Sequence, residues 1–269
     1  MMRLPILMTA SVSTRGMKGA CFSDEERENM YVEALAYYAA TILPKHSEQR
    51  IVFAENSGWN LKALAAKLKE RYNDYDASKI EFVSLAPEHF DISRGKGFNE
   101  MLLISEAAEK SEFINKSGGF FKVTGRYPVY NLDYFVSKAS RRICQKGYDM
   151  YCDIKDHKLY DRLRLGWNGH SFECRLFGIT TDYWNKKFAE HYADCNDYEG
   201  KLMETVMFTN VNAGGGKQSL RFRREPHFGG LEGSNIDAPI FTKEQNSLRG
   251  KFKRMVGNCI RTFMPWFWF

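Results

Sequence analysis

An α/β fold built on a mostly parallel sheet flanked by helices is predicted by three features of the 269-residue chain. Four short apolar runs alternate with helix-period patterns over roughly the first 125 residues, an order that sets strands side by side with helices on both faces. A polar or glycine-rich stretch follows each run or opens the helix after it. A composition of 43% hydrophobic and 27% charged residues supplies the apolar mass for such a core.

Residues 4–12 are apolar and end in small polar residues, so they read as a buried strand opening into a loop that carries Arg15, Gly16 and Gly19. Ser23 followed by Glu26 is a capping box, and Tyr31, Ala34, Leu35 and Tyr38 recur at helical spacing, which predicts a helix over 24–43. Residues 51–54 form the second strand, broken by Glu55-Asn-Ser-Gly58, and Leu61, Leu64, Ala65 and Leu68 mark the next helix. Residues 79–85 alternate as a third strand. Arg94-Gly-Lys-Gly97 leads into a helix over 98–115, and 118–125 is the fourth strand. Beyond it, 133–146 reads as helix, 149–153 and 171–177 as strands, 182–193 and 198–206 as helices, and 212–238 as a glycine-rich basic loop.

Ligands of such sheets sit beyond the carboxyl ends of the strands. Thr9-Ala-Ser11, Glu55-Asn-Ser-Gly58, Arg94-Gly-Lys-Gly97 and Thr124-Gly-Arg126 therefore converge on one rim although they are far apart in sequence. Arg94-Gly-Lys-Gly97 offers cations at a helix N-terminus, where phosphate binds; it is neither a Walker A loop nor GxGxxG. Lys122-Val-Thr-Gly-Arg126 ends the fourth strand in a cation where a metal-dependent nucleotide-sugar enzyme places Asp-x-Asp. Arg126 is expected to neutralise a diphosphate directly, with Lys96 or Lys122 assisting. The chain's Asp74-Tyr-Asp76 falls in a turn at the wrong end of the sheet. The six histidines show no metal-ligand spacing and the six cysteines no CxxC pair, so no metal site is assigned and divalent-metal use stays open.

Together, Thr9-Ala-Ser with Asp24-Glu-Glu-Arg27, Ala54-Glu-Asn-Ser-Gly58, Arg94-Gly-Lys-Gly-Phe-Asn-Glu100, Lys122-Val-Thr-Gly-Arg-Tyr127 and Cys174-Arg-Leu-Phe-Gly178 resemble bacterial glycosyltransferases of capsule and O-antigen gene clusters. The resemblance spans about residues 4–185. It implies a GT-A-like fold and sugar transfer from a nucleotide donor, with no cofactor beyond the open question of a metal. By position it implies that Asn56 and Ser57 border the nucleotide, and that Arg94, Lys96 and Gly97 face ribose or diphosphate. Thr124, Gly125 and Arg126 then lie under the diphosphate, with Thr9, Ala10 and Lys122 on the same donor rim. Gly125 is expected to be glycine because a side chain would obstruct the donor, and Glu100 to orient or cap the 94–97 loop. An inverting transfer needs a base for the acceptor hydroxyl. Asp153 and Glu204 are the first candidates, and Glu173, Asp182 and His170 weaker ones. The loop 221–230 is expected to close over the donor and present His227 to the phosphates.

Lys+Arg exceed Asp+Glu by 39 to 33, yet residues 243–269 alone hold Lys243, Arg249, Lys251, Lys253, Arg254 and Arg261 against Glu244. The near-neutral body argues against nucleic acid. We expect one domain over 1–242 and a tail over 243–269, in which Phe252, Met255, Val256, Cys259, Ile260 and Phe263 recur at helical intervals before Trp266-Phe-Trp-Phe269. A basic amphipathic helix with an aromatic end suits a peripheral contact with a membrane; a helix docked on the protein's own core is the competing reading. Scattered cysteines and the lack of a signal-peptide pattern fit a cytoplasmic protein on the inner face of the membrane. The expected activity is transfer of a hexose, from UDP-sugar in the first instance, to a lipid-linked saccharide. The other reading is a non-catalytic nucleotide-binding or assembly protein of the same fold.

Overall fold

The structure, a computed structural model, describes residues 2–157, 162–163, 169–230 and 247–265. Its centre is β1 (Ile6–Ala10), with β2 (Ile51–Glu55) and then β3 (Ile80–Ser84) parallel on one side. On the other side lies β4 (Gly119–Thr124), also parallel. All residues of β1 and β2 are buried; strands covered on both faces read as unbroken apolar runs. The helices between them are α1 (Asp24–Thr41), α2 (Leu61–Arg71), α3 (Gly95–Lys110) and α4 (Glu112–Ser117). The capping box at Ser23 and Glu26 is formed as expected.

The helix expected over 98–115 is two helices. Ser111 ends α3 and caps α4 through Ile114 N, and the Glu81 carboxylate accepts bonds from Ser111 Oγ and the amides of Glu112 and Phe113. Arg94-Gly-Lys-Gly97 is correspondingly not a loop before the helix, since α3 begins at Gly95.

After α5 (Leu132–Ser140) and a π-helical turn (Arg141–Gln145), β5 (Met150–Tyr151) runs parallel to β4 at a distance of one strand. The strand expected over 171–177 splits into β7 (His170–Phe172), which pairs with β6 (Ile154–Asp156), and β8 (Leu176–Thr180). β8 sits antiparallel between β4 and β5, and β9 (Gln218–Ser219) closes the edge, giving the order β3-β2-β1-β4-β8-β5-β9. Glu173, Cys174 and Arg175 form the corner that lets one run serve two sheets. α6 (Thr181–Lys187), α7 (Met203–Asn212) and α8 (Leu248–Phe263) complete the fold.

Alternate strand residues feed two apolar layers. Ile6, Met8 and Phe53 pack with α1, α2 and α5, while Leu7, Val52 and Phe120 pack with α3, α6 and α7. The mostly parallel, helix-covered sheet inferred from the repeated units is the one observed. Strand order runs outward from β1 to β3 and then returns to β4 on the other side. Such a reversal opens a crevice at the carboxyl ends of β1 and β4.

Candidate active site

A cleft of about 610 Å³, part of it open to solvent, occupies that crevice. Thr9 and Ala10 come from β1, Thr124 and Arg126 from the end of β4, and Lys96 and Glu100 from the first turns of α3. Arg27 on α1 joins them, with Tyr31 and Phe90 as apolar wall.

Three cations therefore face one carboxylate. Burial pulls the Lys96 ammonium below its ordinary pKa, and Arg126 and Arg27 push it the same way. Among the described residues Lys96 Nζ donates only to the Gly19 carbonyl, at 2.9 Å. The Arg27 guanidinium is pinned by the carbonyls of Ser11 and Val12. Arg126 Nη1 is shielded from solvent and has no hydrogen-bond partner among the described residues. A buried unpaired donor on a permanent cation is costly unless an anion arrives to meet it.

The carboxylate is itself held. Glu100 Oε1 lies 2.6 Å from Lys122 Nζ, 2.9 Å from Thr9 Oγ1 and 3.4 Å from Thr124 Oγ1. Burial would raise the Glu100 carboxyl, but Lys122, Thr9 and Arg126 outweigh it and keep the group below the usual carboxylate range. Glu100 is the one acid lining the cleft among the described residues, and no group of three metal-ligating side chains converges among them. The donor set here suits an anion and does not fit a divalent ion.

A second cleft, of about 1120 Å³, adjoins the first across Lys122, whose Nζ also donates to the Cys174 carbonyl at 2.6 Å. Asp153, Glu173, Glu204, Glu225 and Arg261 line it. Asp153 is gripped by Arg261 at 2.6 Å and by the Phe222 amide at 3.1 Å. Burial nonetheless raises its carboxyl, against the pull of Arg261 and Arg221. Glu173 forks with Arg175, which overcomes burial and lowers its carboxyl. Glu204 differs. Its crowded wall pushes the carboxyl up and Glu100, Asp197 and Glu173 add repulsion, while no described side chain forms an ion pair with it.

Several expectations need correction. The α3 N-terminus does not await a phosphate, because the Asp197 carboxylate occupies it, accepting from Lys96 N at 2.6 Å and Gly97 N at 3.3 Å. Arg94 points away to the carbonyls of Ala193 and Cys195 and stacks on Phe98. Asn56 and Ser57 serve the rim's architecture. Asn56 bonds Ser11 Oγ and the Asn99 carbonyl, and Ser57 bonds Glu55 and the Ser13 amide. Lys122 has its ammonium protons committed to Glu100, Thr124 and Cys174, so it braces the site from within. Glu100 neither caps nor orients the 94–97 turn. At Gly125 a Cβ would meet the Thr9 carbonyl at 2.9 Å and the Tyr31 ring at 3.2 Å, so the close packing of β1 and α1 itself requires glycine there. Asp153 is spoken for by Arg261. His227 lies outside both clefts, packed on Tyr130 and beside Arg254, although Glu225, Pro226 and Phe228 of its loop do wall the second cleft. Asp182 is on the opposite side of the sheet's length, in the first turn of α6, and His170 pairs with Asp156. Asp74-Tyr-Asp76 lies ahead of β3, with Asp76 capping a short turn through Ser78.

Sequence reasoning missed Arg27 and Asp197. Arg27 shares the stripe of Tyr31, Ala34, Leu35 and Tyr38, and a cation on an apolar stripe was the signal. Asp197 had none, since it caps a helix about 100 residues away. Asp197→Ala should cost about 1–2 kcal/mol, as for loss of a strong N-cap, read as a lowered urea midpoint. Gly95→Ala should cost more than that, because its φ is +86° and a Cβ would stand 2.6 Å from Asp197 Cβ.

Of the tail's two readings, the structure bears on the docked helix. α8 lies on the body, but by its polar face. Gly257 is its one buried residue, Arg261 pairs with Asp153, Asn258 Oδ1 accepts from Glu225 N at 2.8 Å, and Thr262 reaches the Arg223 carbonyl. Leu248, Phe252, Met255 and Phe263 face outward, 55–85% exposed. Trp266 to Phe269 and the 231–246 part of the loop and tail lie outside the described residues. Among the described residues no helix is long and apolar enough to cross a membrane.

No protein-family model and no curated protein matches the chain. Among solved structures it is similar to galactosyltransferase LgtC in complex with donor and acceptor sugar analogues, at 14% identity over 82% of this chain and 74% of that one, with a TM-score of 0.48. Mannosyltransferase Ktr4p from S. cerevisiae follows, at 9% identity over 78% and 65%, TM-score 0.47. Core-mannan synthase A from Aspergillus fumigatus in its Mn/GDP form is similar at 10% identity over 78% and 70%, TM-score 0.44.

Proposed function

We propose that the protein is a glycosyltransferase that binds the diphosphate of a nucleotide-sugar, UDP-hexose in the first instance, in the β1/β4 cleft and passes the sugar to an acceptor in the adjoining cleft. One observation carries this reading: the shielded Nη1 of Arg126, without a partner among the described residues, beside Lys96 and Arg27 at the crevice where the strand order reverses. A diphosphate would supply the missing acceptor and relieve the repulsion among the three cations. As the glycosidic bond to phosphate breaks, negative charge grows on the leaving diphosphate, and fixed cations stabilise it with little reorganisation.

On this reading Glu204 is the base. It takes the proton from the acceptor hydroxyl as that oxygen attacks the sugar, and a carboxyl raised from its ordinary value suits the task at neutral pH. Because a base acts deprotonated, turnover should rise with pH through the Glu204 ionisation. Glu204→Gln should cut kcat about 10²- to 10⁴-fold and remove that ascending limb, while leaving UDP affinity unchanged; a retained limb assigns the base elsewhere.

The outward stripe of α8, with exposed Arg249 and Lys251 at its flank, fits the surface of a bilayer. With the resemblance to capsule and O-antigen enzymes, that placement supports a lipid-linked saccharide as acceptor. The experiment is thermal unfolding against a panel of nucleotides with EDTA or Mn²⁺, followed by turnover of the matching sugar conjugate. Stabilisation by about 2.7 kcal/mol is expected at a hundredfold excess over Kd. Stabilisation without turnover would leave a nucleotide-binding protein, and no stabilisation by any nucleotide would end the proposal.

A further inference from the structure

Away from both clefts, a groove of about 770 Å³ runs along the end of α5, the π-helical turn and the 223 segment. Lys138, Arg141, Arg142, Lys146 and Arg223 line it together with Tyr134, Tyr148 and Tyr151, and no carboxylate among the described residues does. Among the described residues none of these five cations has an acidic partner. Cations near a helix C-terminus are favoured by its dipole, which accounts for Lys138 at the end of α5 and for Arg141, Arg142 and Lys146 on and after the π-helical turn that follows it. It does not account for Arg223, which arrives from 85 positions further on.

The groove is also braced. The Arg142 guanidinium stacks over Tyr148 at 5.4 Å and over Tyr151 at 5.3 Å and donates to Ser219 Oγ. Lys217 Nζ sits 4.5 Å from the Tyr148 ring and donates to the Lys146 carbonyl. Arg224 stacks over Tyr134 at 4.4 Å. Aromatic faces hold the guanidinium and ammonium groups in place without neutralising them.

The position of the groove indicates its occupant. Thr262 of α8 bonds the carbonyl of Arg223, and Asn258 bonds the amide of Glu225 two residues on. The 223–225 segment thus joins the braced cationic groove to α8, whose apolar stripe faces outward. We propose that the groove holds the phosphodiester headgroup of an anionic phospholipid while the α8 stripe enters the same bilayer. The proposal shares α8 with the functional reading above and is independent of glycosyl transfer.

The test is flotation of the full chain on vesicles of phosphatidylcholine, alone or with phosphatidylglycerol. Arg141→Ala/Lys146→Ala/Arg223→Ala should lower binding to phosphatidylglycerol vesicles about 100-fold, from the usual contribution of three basic residues at an anionic surface. Its binding to phosphatidylcholine should stay at wild type. Phe252→Ser/Phe263→Ser should lose binding to both, which separates failure of the groove from failure of the stripe. Matched thermal unfolding midpoints and circular dichroism spectra show that each variant folds. A triple variant that keeps the wild-type preference for phosphatidylglycerol overturns the proposal. So does inorganic phosphate binding that the triple variant abolishes without any change in flotation, because the groove would then serve a soluble anion.

Discussion

Arg126→Ala is expected to weaken UDP by about 100-fold or more and leave uridine binding unchanged. The Nη1 atom is the cleft's one shielded polar side-chain atom without a partner among the described residues, so truncation removes an interaction that exists only with an anion present. Hydrogen bonds to charged groups contribute about 1.5–3 kcal/mol each, and a guanidinium can make two to a diphosphate. Arg126→Lys should recover part of the affinity, because it restores the charge without the fork. Calorimetric titration with UDP, UMP and uridine is the measurement. The loss should fall from UDP to UMP to uridine. A UDP affinity within about twofold of wild type, below the contribution of even one such bond, refutes the assignment.

Lys122→Met is expected to be the most destabilising substitution in the site. The Lys122 side chain is 0% exposed and pairs at 2.6 Å with Glu100, which is 27% exposed. Breaking a buried pair by removing one partner costs about 3–5 kcal/mol, here nearer 3 because Glu100 keeps some solvent and Arg126. Unfolding midpoints should fall by about 6–12 °C. Glu100→Gln added to Lys122→Met should recover most of the loss, since no uncompensated charge remains. The pH dependence has a definite sign. In the wild type the depressed Glu100 carboxyl contributes stability above its ordinary pKa, lost as pH falls through the folded value. Without Lys122 the neutral acid becomes the favoured form, so the deficit of the variant should shrink as pH drops toward 4, about the ordinary carboxyl range. An unchanged midpoint, or a deficit that grows on acidification, contradicts this account of Lys122.

The cation that ends β4 was legible because strand periodicity and strand ends can be read locally. Thr9, Thr124 and Arg126 follow apolar runs, and a parallel sheet sends every such end to one rim. Arg94 and Gly97 misled for the converse reason. Glycines and cations at a helix start have the same local appearance whether the terminus is open or closed, and Asp197 closes this one from far along the chain. Lys122 misled because a lysine inside an apolar strand gives no sign of its partner; its acid, Glu100, lies on a different element.

The amphipathic pattern of α8 was plain in the sequence, whereas its orientation was not. Periodicity distinguishes two faces of a helix but does not say which meets the protein. That choice depended on what the body offers, and here Asp153 and the 223–225 backbone present acceptors and a donor that select the Arg261, Asn258 and Thr262 side. The amino-acid order by itself determined the βα units, the parallel sheet and the rim where polar residues gather, since these follow from interactions within a few residues. Which cation meets a carboxylate and which is left facing the cleft, and which way α8 turns its apolar stripe, only the tertiary structure decided, because those pairings join atoms that the chain separates by 22 to 108 residues.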